Sequence, residues 1–438
     1  MKKLLIVAYY FPPSGGPGVQ RVLKYTKYLP EFGWQPIILT VENGTFPALD
    51  YSLLDEIPKN VVVVRTKIYE PYELYRIFTG KPKSTAIDVN VIRKEGQKLT
   101  LQERIAEFIR ATLFIPDARV GWLLTAKSKA VEICKKYNVD AIYSSSPPYT
   151  CSLIARYVKR KLGIPWIAGF RDPWTGFIST PKRWFLPAII DKNLEQSVFS
   201  EADLVEVAWL GIRKDALSKF PHLPESKFIH IPNGYDPADY PNIEYEPNSV
   251  FTITYTGSMY GRRNPQSLFK ALEKLVFDGM LKLEEFKIRL IGRFGAEVIQ
   301  MIESTSIKSC VEVVPYLPHN ESLNQLMKSD ALLLIVDEAK DSSEIVPGKV
   351  YEYLGTGKPI LAIAPTDGAV AKLISETKSG FVAHQSDIDL IGKNFLKLFN
   401  LWKENTLHQP DSLEIAKYSR KRHTEKLAEY LNRLCNNV

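Results

Sequence analysis

The sequence predicts an α/β protein built from two doubly wound, parallel-sheet domains, and three observations lead to this class. Short apolar runs alternate with helical patterns along the chain, as expected for parallel sheets covered by helices on both faces. The 438 residues, 45% of them hydrophobic, are enough for two domains of about 200 residues, each with its own core. A turn-rich segment from His230 to about Ser249 lies near mid-chain and divides the alternating strands and helices into two series, one for each domain.

In the first series, the N-terminal apolar run imitates a signal peptide but stops at Pro12-Pro13 without a small-residue cleavage site. We therefore expect it to be a buried strand. No segment approaches the ~20 apolar residues that span a bilayer. The predicted strands cover residues 4–9, 36–40, 61–65, 141–144, 166–170 and 204–207, and the predicted helices cover 19–29, 122–137, 150–162 and 187–200. The second series has predicted strands at 252–256, 287–291, 311–314, 331–336, 360–364 and 380–383.

Composition narrows the class of partner. The net charge of +8 favours an anionic partner such as a nucleoside diphosphate, an anionic lipid or a nucleic acid. No RNA-binding signature or long basic run is present, so a nucleic-acid partner is not expected. The cysteines lack C-x-x-C spacing and the six histidines lack metal-ligand spacing, which favours reduced thiols, a cytoplasmic location and no zinc site.

Two carboxylates eight positions apart carry the strongest chemical signal. Glu344 lies in a loop, and Glu352 lies on a short helix predicted from Lys349 to Leu354, which ends before Gly355 and leads into an apolar strand. A helix N-terminus favours anions because its backbone N–H groups are unpaired. A carboxylate beside it can accept hydrogen bonds from sugar hydroxyls, so this arrangement suits a nucleotide-sugar. The ordinary alternative is that both glutamates are solvated charges.

This region resembles the E-x7-E region of retaining glycosyltransferases of family 4, which have the GT-B fold of two Rossmann-like domains with an interdomain cleft. The Asn233-Gly-Tyr-Asp236 segment is similar to the hinge of that family. The resemblance covers most of the chain. It implies an acceptor-binding domain at 1–240, a nucleotide-sugar-binding domain at 241–410 and a closing helix at 411–438, crossing back toward the first domain.

The resemblance also implies roles for particular residues. Glu344, Asp172 and Lys349 are the expected catalytic residues, although Lys349 has a structural salt bridge as its ordinary alternative. The expected donor-binding residues are Gly15, Gly16, Gly257, Arg262, Arg263, Arg293 and Glu352. The chain departs from the family pattern in two places, since Ser258 replaces an arginine that holds phosphate and the loop 144–149 lacks a histidine.

The implied activity is transfer of a sugar, as in hexosyltransferases, from a nucleoside diphosphate sugar to a glycan or lipid-linked acceptor, without an essential metal or cofactor. A nucleotide-sugar epimerase or hydrolase of the same fold and a non-catalytic sugar- or lipid-binding relative are the alternatives. The apolar stripe from Leu99 to Leu113 is either core or a membrane-facing helix, and Arg183-Trp184-Phe185 is a second candidate membrane surface. We expect a cytoplasmic protein that docks on the inner face of the plasma membrane.

Overall fold

The computed structural model describes residues 1–46, 48–69, 108–109, 111–176, 180–243, 246–261, 263–336, 343–407 and 410–436. The chain divides into two compact units. Unit 1 comprises Met1–Pro232 together with Lys421–Val438, and unit 2 comprises Asn233–Arg420. Unit 2 is therefore one continuous segment, whereas unit 1 is assembled from two separate parts of the sequence.

Unit 1 contains a seven-stranded parallel sheet with strand order β3-β2-β1-β4-β5-β6-β7. Its strands are β1 Lys2–Ala8, β2 Trp34–Val41, β3 Val62–Thr66, β4 Ala141–Ser146, β5 Trp166–Phe170, β6 Leu204–Val207 and β7 Phe228–His230. Its helices are α1 Pro17–Tyr28, α2 Leu123–Tyr137, α3 Thr150–Leu162, α4 Phe185–Glu201, α5 Leu210–Lys219 and α13 Arg420–Asn436, of which α13 is the last helix of the chain. The predicted strand at the N-terminus is confirmed.

The core of unit 1 explains why its strands read as continuous apolar runs. Leu4, Leu5, Ile6 and Val7 of β1 are fully buried because helices cover both faces of the sheet. Helix α13 contributes to this core, since its Leu427, Ala428 and Leu431 pack in the same hydrophobic cluster as β1 and α1. The C-terminal helix is thus a structural part of unit 1.

Unit 2 contains a six-stranded parallel sheet with strand order β10-β9-β8-β11-β12-β13. Its strands are β8 Phe251–Thr256, β9 Phe286–Ile291, β10 Val311–Val314, β11 Ala331–Ile335, β12 Ile360–Ile363 and β13 Gly380–Ala383. Its helices are α6 Gln266–Phe277, α7 Ala296–Ser304, α8 His319–Met327, α9 Gly348–Gly355, α10 Ala369–Glu376, α11 Ile388–Lys403 and α12 Ser412–Ala416. Two hydrophobic clusters form the core of this unit. The predicted α/β class with two doubly wound sheets is confirmed.

Each sheet reverses its strand order at one point, between β1 and β4 in unit 1 and between β8 and β11 in unit 2. The loops that leave such a pair of strands diverge and open a crevice at the carboxyl edge, where ligands of doubly wound sheets bind. In unit 2 these loops are the one that begins at Gly257 and the one that carries Glu344. The topology therefore brings two of the sequence motifs to one edge.

Candidate functional site

Helix α9 carries the central part of the candidate site in unit 2. It follows the loop after β11, and Tyr353 on its buried side accepts a hydrogen bond from the backbone N–H of Thr256 at 2.9 Å. At the neighbouring residue, the carbonyl oxygen of Glu352 accepts a hydrogen bond from the Tyr240 hydroxyl at 2.7 Å. These contacts fix α9 between the carboxyl end of β8 and the segment that follows the mid-chain turn.

Gly355, the last residue of α9, shows why a small residue is needed there. A Cβ atom at this position would lie 2.3 Å from the Tyr240 hydroxyl oxygen and 2.6 Å from the Tyr235 ring. Contacts this short require the tyrosines to move. The absence of a side chain at Gly355 thus allows Tyr235 and Tyr240 to pack closely against α9.

Lys349 reaches from the first turn of α9 to the end of β8. Its ammonium donates hydrogen bonds to the Tyr255 hydroxyl and to the Thr256 carbonyl, both at 2.8 Å, and lies 4.1 Å from the centre of the Tyr255 ring. These partners are neutral oxygens, so the contacts that the described residues provide leave the positive charge available. The salt bridge to Glu344 or Glu352 that was the alternative for this lysine is not among them.

Gly257 lies directly beneath this ammonium. Its φ of +118° belongs to a backbone region that L-residues rarely adopt, and a Cβ atom there would lie 2.5 Å from the Lys349 Nζ. Glycine therefore lets the backbone turn after β8 and leaves space for the lysine side chain. The lysine ammonium therefore lies at the start of the loop that continues into Ser258, the residue that replaces the arginine of the family pattern.

Glu352 is 31% exposed, and its Oε1 lies 3.4 Å from Nε2 of His319, the first residue of α8. Burial works to raise the pKa of Glu352, but His319, Lys349 and Arg420 outweigh it, so the pKa is lowered. The carboxylate is therefore ionised at neutral pH and can accept hydrogen bonds from hydroxyl groups. Sequence reasoning missed His319, and the only available signal was its place after β10, at the same edge of the sheet.

Glu344 is half-buried in the loop before α9. This loop is tied to the start of α10, because the Ala369 N–H donates to the Ser343 carbonyl at 2.6 Å. Glu344 is therefore held by a loop, whereas Glu352 is held by helix α9.

The three arginines predicted to bind the donor differ in their exposure to solvent, where the structure describes it. Arg262 lies outside the described residues. Arg263 is half-buried in the loop after β8. Arg293 is exposed in the adjacent loop, its guanidinium 5.1 Å from the Tyr316 ring centre, and its carbonyl accepts the Met259 N–H at 3.1 Å. The loops after β8 and β9 thus run side by side, which places Arg263 and Arg293 in neighbouring loops.

The remaining predicted site residues, Gly15, Gly16 and Asp172, lie in unit 1. Gly15 donates its N–H to the Ala48 carbonyl at 2.9 Å, and Gly16 caps the N-terminus of α1 with a φ of +91°. Asp172 follows β5, and burial raises its pKa against the opposing influence of Arg171. Arg171 also lies beside the glycine-rich loop, since a Cβ atom on Gly18 would be 3.6 Å from its Nη2. The loops after β1 and β5 are therefore neighbours at the carboxyl edge of this sheet.

Three further observations bear on the kind of site. Among the described residues, no group of three or more histidine, cysteine, aspartate or glutamate side chains is placed to hold a metal ion. All four cysteines are free thiols, and Cys134, Cys151 and Cys310 are buried. No helix in the described part of the chain is both long enough and apolar enough to cross a membrane.

The two Rossmann-like units place the chain in the GT-B class of folds, as three solved structures illustrate. Sucrose-phosphate synthase from Thermosynechococcus elongatus is similar with a TM-score of 0.63 at 10% identity, over 100% of both chains. A point mutant of S. aureus TarM, in complex with Fondaparinux, alpha-GlcNAc-glycerol and UDP, is similar with a TM-score of 0.60 at 12% identity, over 99% of this chain and 100% of the other. WaaG, a glycosyltransferase involved in lipopolysaccharide biosynthesis, is similar with a TM-score of 0.57 at 13% identity, over 98% and 99%.

The sequence adds a family match to this likeness of fold. Residues 239–422 match the family model described as glycosyl transferases group 1, a segment that nearly coincides with unit 2. Among curated proteins, none matches this sequence. The match over this segment supports glycosyl transfer as the activity, and the solved structures show the fold.

Proposed function

We propose that the protein is a retaining glycosyltransferase that moves a hexose from a nucleoside diphosphate sugar to a hydroxyl acceptor. One observation carries the proposal: the ammonium of Lys349 stands over Gly257 at the switch point of unit 2, on the same short helix as the ionised Glu352. A cation and a carboxylate on one helix suit a nucleoside diphosphate, because the cation can bind the diphosphate and the carboxylate can accept hydrogen bonds from the ribose hydroxyls. The E-x7-E pattern of family 4 and the group 1 match over unit 2 support the same assignment.

The donor is assigned to unit 2 by charge. Glu352 accepts hydrogen bonds from the ribose hydroxyls, and its proximity to His319 keeps it ionised for that purpose. Lys349 holds the diphosphate, together with Arg262, Arg263 and Arg293. In this assignment Lys349 takes over the charge that the family pattern places at Ser258.

The reaction is a front-face displacement. The bond between the sugar's anomeric carbon and the phosphate oxygen breaks, and the acceptor oxygen bonds to the same face of that carbon. The acceptor proton passes to the leaving diphosphate oxygen, whose developing charge Lys349 stabilises. Glu344 and Asp172 are assigned to catalysis, with Glu344 positioning the transferred sugar and Asp172 serving the acceptor. Gly15 and Gly16, in the loop beside Asp172, are assigned to donor binding. The cations fill the role that a metal ion has in other transferases.

The acceptor that we propose is a glycan or lipid-linked glycan of cell-surface polysaccharide assembly, reached from the cytoplasmic face of the plasma membrane. The high positive charge of the chain, +8, suits anionic substrates and an anionic surface. TarM and WaaG, which share the fold, are described with UDP and with lipopolysaccharide biosynthesis respectively.

The test is an incubation of the protein with a panel of nucleoside diphosphate sugars, with and without glycan acceptors, and with a chelator in parallel. Release of nucleoside diphosphate that requires the acceptor, with an unchanged anomeric configuration in the product, is the expected result. An inverted product or dependence on a metal would contradict those parts of the proposal.

One observation favours a second candidate, nucleotide-sugar epimerisation, because that chemistry needs a histidine beside acidic groups and His319 lies beside Glu352. The same incubation separates the two. An epimerase converts the donor sugar without any acceptor, whereas a transferase leaves the unreacted donor unchanged.

A further inference from the structure

The segment that leaves β5, residues 171–175, is held along its backbone by side chains from elsewhere in unit 1. We call these residues the Asp172 loop. Its backbone accepts side-chain hydrogen bonds at the carbonyl oxygens of Arg171, Pro173, Trp174 and Thr175. The donors, in the same order, are the side chains of Trp209, Tyr149, Thr180 and Lys219. Because these donors come from separate parts of the sequence, the tertiary structure of unit 1 fixes the position of the loop.

Two side chains of the Asp172 loop are bound by acids of helix α4. Trp174 is 0% exposed, and its Nε1 donates to the Asp191 carboxylate at 2.9 Å while its ring stacks on Tyr149 with centres 4.5 Å apart. Thr175 donates its N–H to Oε1 of Glu195 at 3.3 Å and its hydroxyl to the other oxygen of the same carboxylate. Two acids one helical turn apart thus bind two consecutive residues of the loop.

These two acids are buried and paired with cations. Asp191 and Glu195 are 1% and 0% exposed. Arg183 Nε donates to Asp191 at 2.7 Å, and Lys219 Nζ donates to Glu195 at 3.2 Å. Arg183 itself is only 3% exposed, so the expectation that it lies on an exposed surface is wrong, because Asp191 binds it in the interior.

The burial of these charges indicates a role in geometry more than in stability. Moving an ion pair out of water costs several kcal/mol, and well-packed apolar side chains in its place are often as stable or more so. Apolar side chains on α4 could cover the loop, but they could not accept hydrogen bonds from the Trp174 indole or from Thr175. The direct consequence of Asp191 and Glu195 is therefore that the loop is held in one conformation.

Asp172 lies between these anchored residues and lacks an anchor of its own. On one side, the Arg171 side chain donates to the Ser145 hydroxyl at 2.5 Å. On the other side are Trp174 and Thr175, bound as described above. In the part of the chain that the structure describes, the half-buried carboxylate of Asp172 has no hydrogen-bond partner. Since such groups are normally hydrogen-bonded, this carboxylate is placed to accept a hydrogen bond from a ligand hydroxyl.

We propose that Asp191 and Glu195 are positioning residues for the reaction, because they hold Asp172 against the acceptor through Trp174 and Thr175. Asp172 accepts a hydrogen bond from the acceptor hydroxyl, and the two acids of α4 keep it at the distance that this bond requires. A displacement of about 1 Å in a group of this kind can lower the rate roughly a hundredfold. The inference rests on the proposed function, in which Asp172 serves the acceptor.

The main test removes one anchor of the loop without changing Asp172. Thr175→Val deletes the hydroxyl that donates to Glu195 and leaves the ion pair of Glu195 with Lys219 in place. We expect kcat/KM for the acceptor to fall roughly tenfold to a hundredfold, measured as nucleotide release at saturating donor. The dissociation constants for UDP and GDP, measured by calorimetry, remain unchanged because the charged donor-binding residues lie in unit 2. Thr175→Ser keeps the hydroxyl and restores kcat/KM.

Thr305 in unit 2 supplies the matched control for this variant. It is 9% exposed, and its hydroxyl donates to the Glu273 carboxylate at 2.7 Å. Thr305→Val therefore removes a bond of the same kind, far in sequence from the Asp172 loop. Both variants lower Tm by similar amounts, and only Thr175→Val lowers kcat/KM for the acceptor.

A second pair of variants tests the anchor at Asp191. Trp174→Phe removes the indole N–H that Asp191 accepts and keeps an aromatic ring against Tyr149. Its control is Trp34→Phe, since Trp34 is also 0% exposed and donates its Nε1 to Asn432 at 3.2 Å from the first residue of β2. We expect Trp174→Phe to lower kcat/KM for the acceptor about tenfold and Trp34→Phe to leave it unchanged.

Hydrogen exchange measures the position of the loop without any substrate. Amides that are held by tertiary contacts exchange slowly, and loss of a contact speeds their exchange. In Thr175→Val, peptides that cover residues 171–175 should exchange several-fold faster than in the wild-type protein. Thr305→Val should leave these peptides unchanged. This measurement therefore decides whether α4 holds the loop even where the wild-type protein transfers no sugar, a result that would reject the proposed function instead.

Three outcomes overturn the proposal. One is unchanged exchange of residues 171–175 in Thr175→Val, which would show that Glu195 does not hold the loop. Another is faster exchange with a wild-type kcat/KM, which would show that the reaction does not depend on the position of the loop. The last is an equal loss of kcat/KM in Thr175→Val and Thr305→Val, which would assign the effect to general destabilisation.

Discussion

The carboxyl edges of the two sheets have the same topology but hold their polar groups differently. In unit 1, Asp117 accepts hydrogen bonds from the N–H of Thr150 at 2.9 Å and from its hydroxyl at 2.8 Å, and burial raises the pKa of that carboxyl. In unit 2, the charge of Lys349 contacts only neutral oxygens in the contacts described above, and Glu352 lies 3.4 Å from His319. The two units thus share the topology of this edge, but their side-chain contacts differ. These contacts determine whether a charged group at the edge stabilises the fold or remains available to bind a ligand.

The largest effect is expected for Lys349→Ala, because this ammonium is assigned to the charge that develops on the leaving diphosphate. Removing one such group lowers kcat by roughly 10²–10³. The measurement is steady-state nucleotide release at saturating donor, with Lys372→Ala, at an exposed position of α10, as the matched control. A kcat within threefold of the wild-type value would show that the ammonium of Lys349 has a structural role, like the Asp117 carboxyl of unit 1.

The second prediction concerns the acid stability of unit 1. Burial, with Lys426 and Arg21 nearby, lowers the pKa of His230 from 6.5 to about 4. Below pH 6.5 the His230 imidazole is protonated in the unfolded chain, whereas in the folded chain it is protonated only below about pH 4. The free energy of unfolding therefore falls as the pH falls through this window. The loss is at most about 3 kcal/mol. It is measured by urea unfolding from pH 7 to 4, and His230→Gln should remove it. Parallel pH profiles for the two proteins would contradict the prediction.

The third prediction distinguishes the role of Glu352 in nucleotide binding from the role of Glu344 in turnover. Glu352→Gln should weaken nucleoside diphosphate binding by ~1–3 kcal/mol, because a charge-assisted hydrogen bond to the ribose is lost. Glu344→Gln should instead lower turnover with nearly intact affinity, and Glu404→Gln, at an exposed position after α11, should change neither. Titration calorimetry with UDP and GDP gives the affinities. An unchanged dissociation constant for Glu352→Gln rejects the ribose assignment.

The smallest effect is expected for the arginines of the loop after β8. Arg263→Ala should weaken nucleoside diphosphate binding by about 1.4 kcal/mol more than monophosphate binding, since each tenfold step in affinity corresponds to that energy and the lost charge faces the second phosphate. Arg262→Ala is expected to act in the same way. Competition binding with paired mono- and diphosphates measures the difference. Equal losses for both ligands would place these side chains away from the diphosphate.

Most strands were predictable because strands buried on both faces give continuous apolar runs. The predicted strands at 166–170 and 204–207 coincide with β5 and β6. Strand β7 was missed because Phe228–His230 is too short to show a pattern. Helix α5 was missed because its buried residues, Gly211, Ile212 and Ala216, give only a weak apolar face.

The site was less predictable than the fold, because its contacts join distant parts of the sequence. The spacing in the motif placed Lys349 between two glutamates, but its hydrogen-bond partners, Tyr255 and Thr256, come from β8, which adjoins β11 only in the folded sheet. His319 was missed for the same reason, since nothing nearby in sequence marks it as the neighbour of Glu352.

The discontinuity of unit 1 has a consequence for synthesis on the ribosome. Domains fold as units as the chain emerges, and synthesis adds about 5–20 residues per second. Unit 2, from Asn233 to Arg420, can complete its core while unit 1 still lacks Leu427 and Leu431 of α13. The first part of the chain to emerge is thus among the last to be finished, and the apolar surface that α13 covers stays open to chaperones during that interval. Moving α13 to precede β1 through a short linker would let unit 1 fold first, and such a circular permutant should aggregate less during expression.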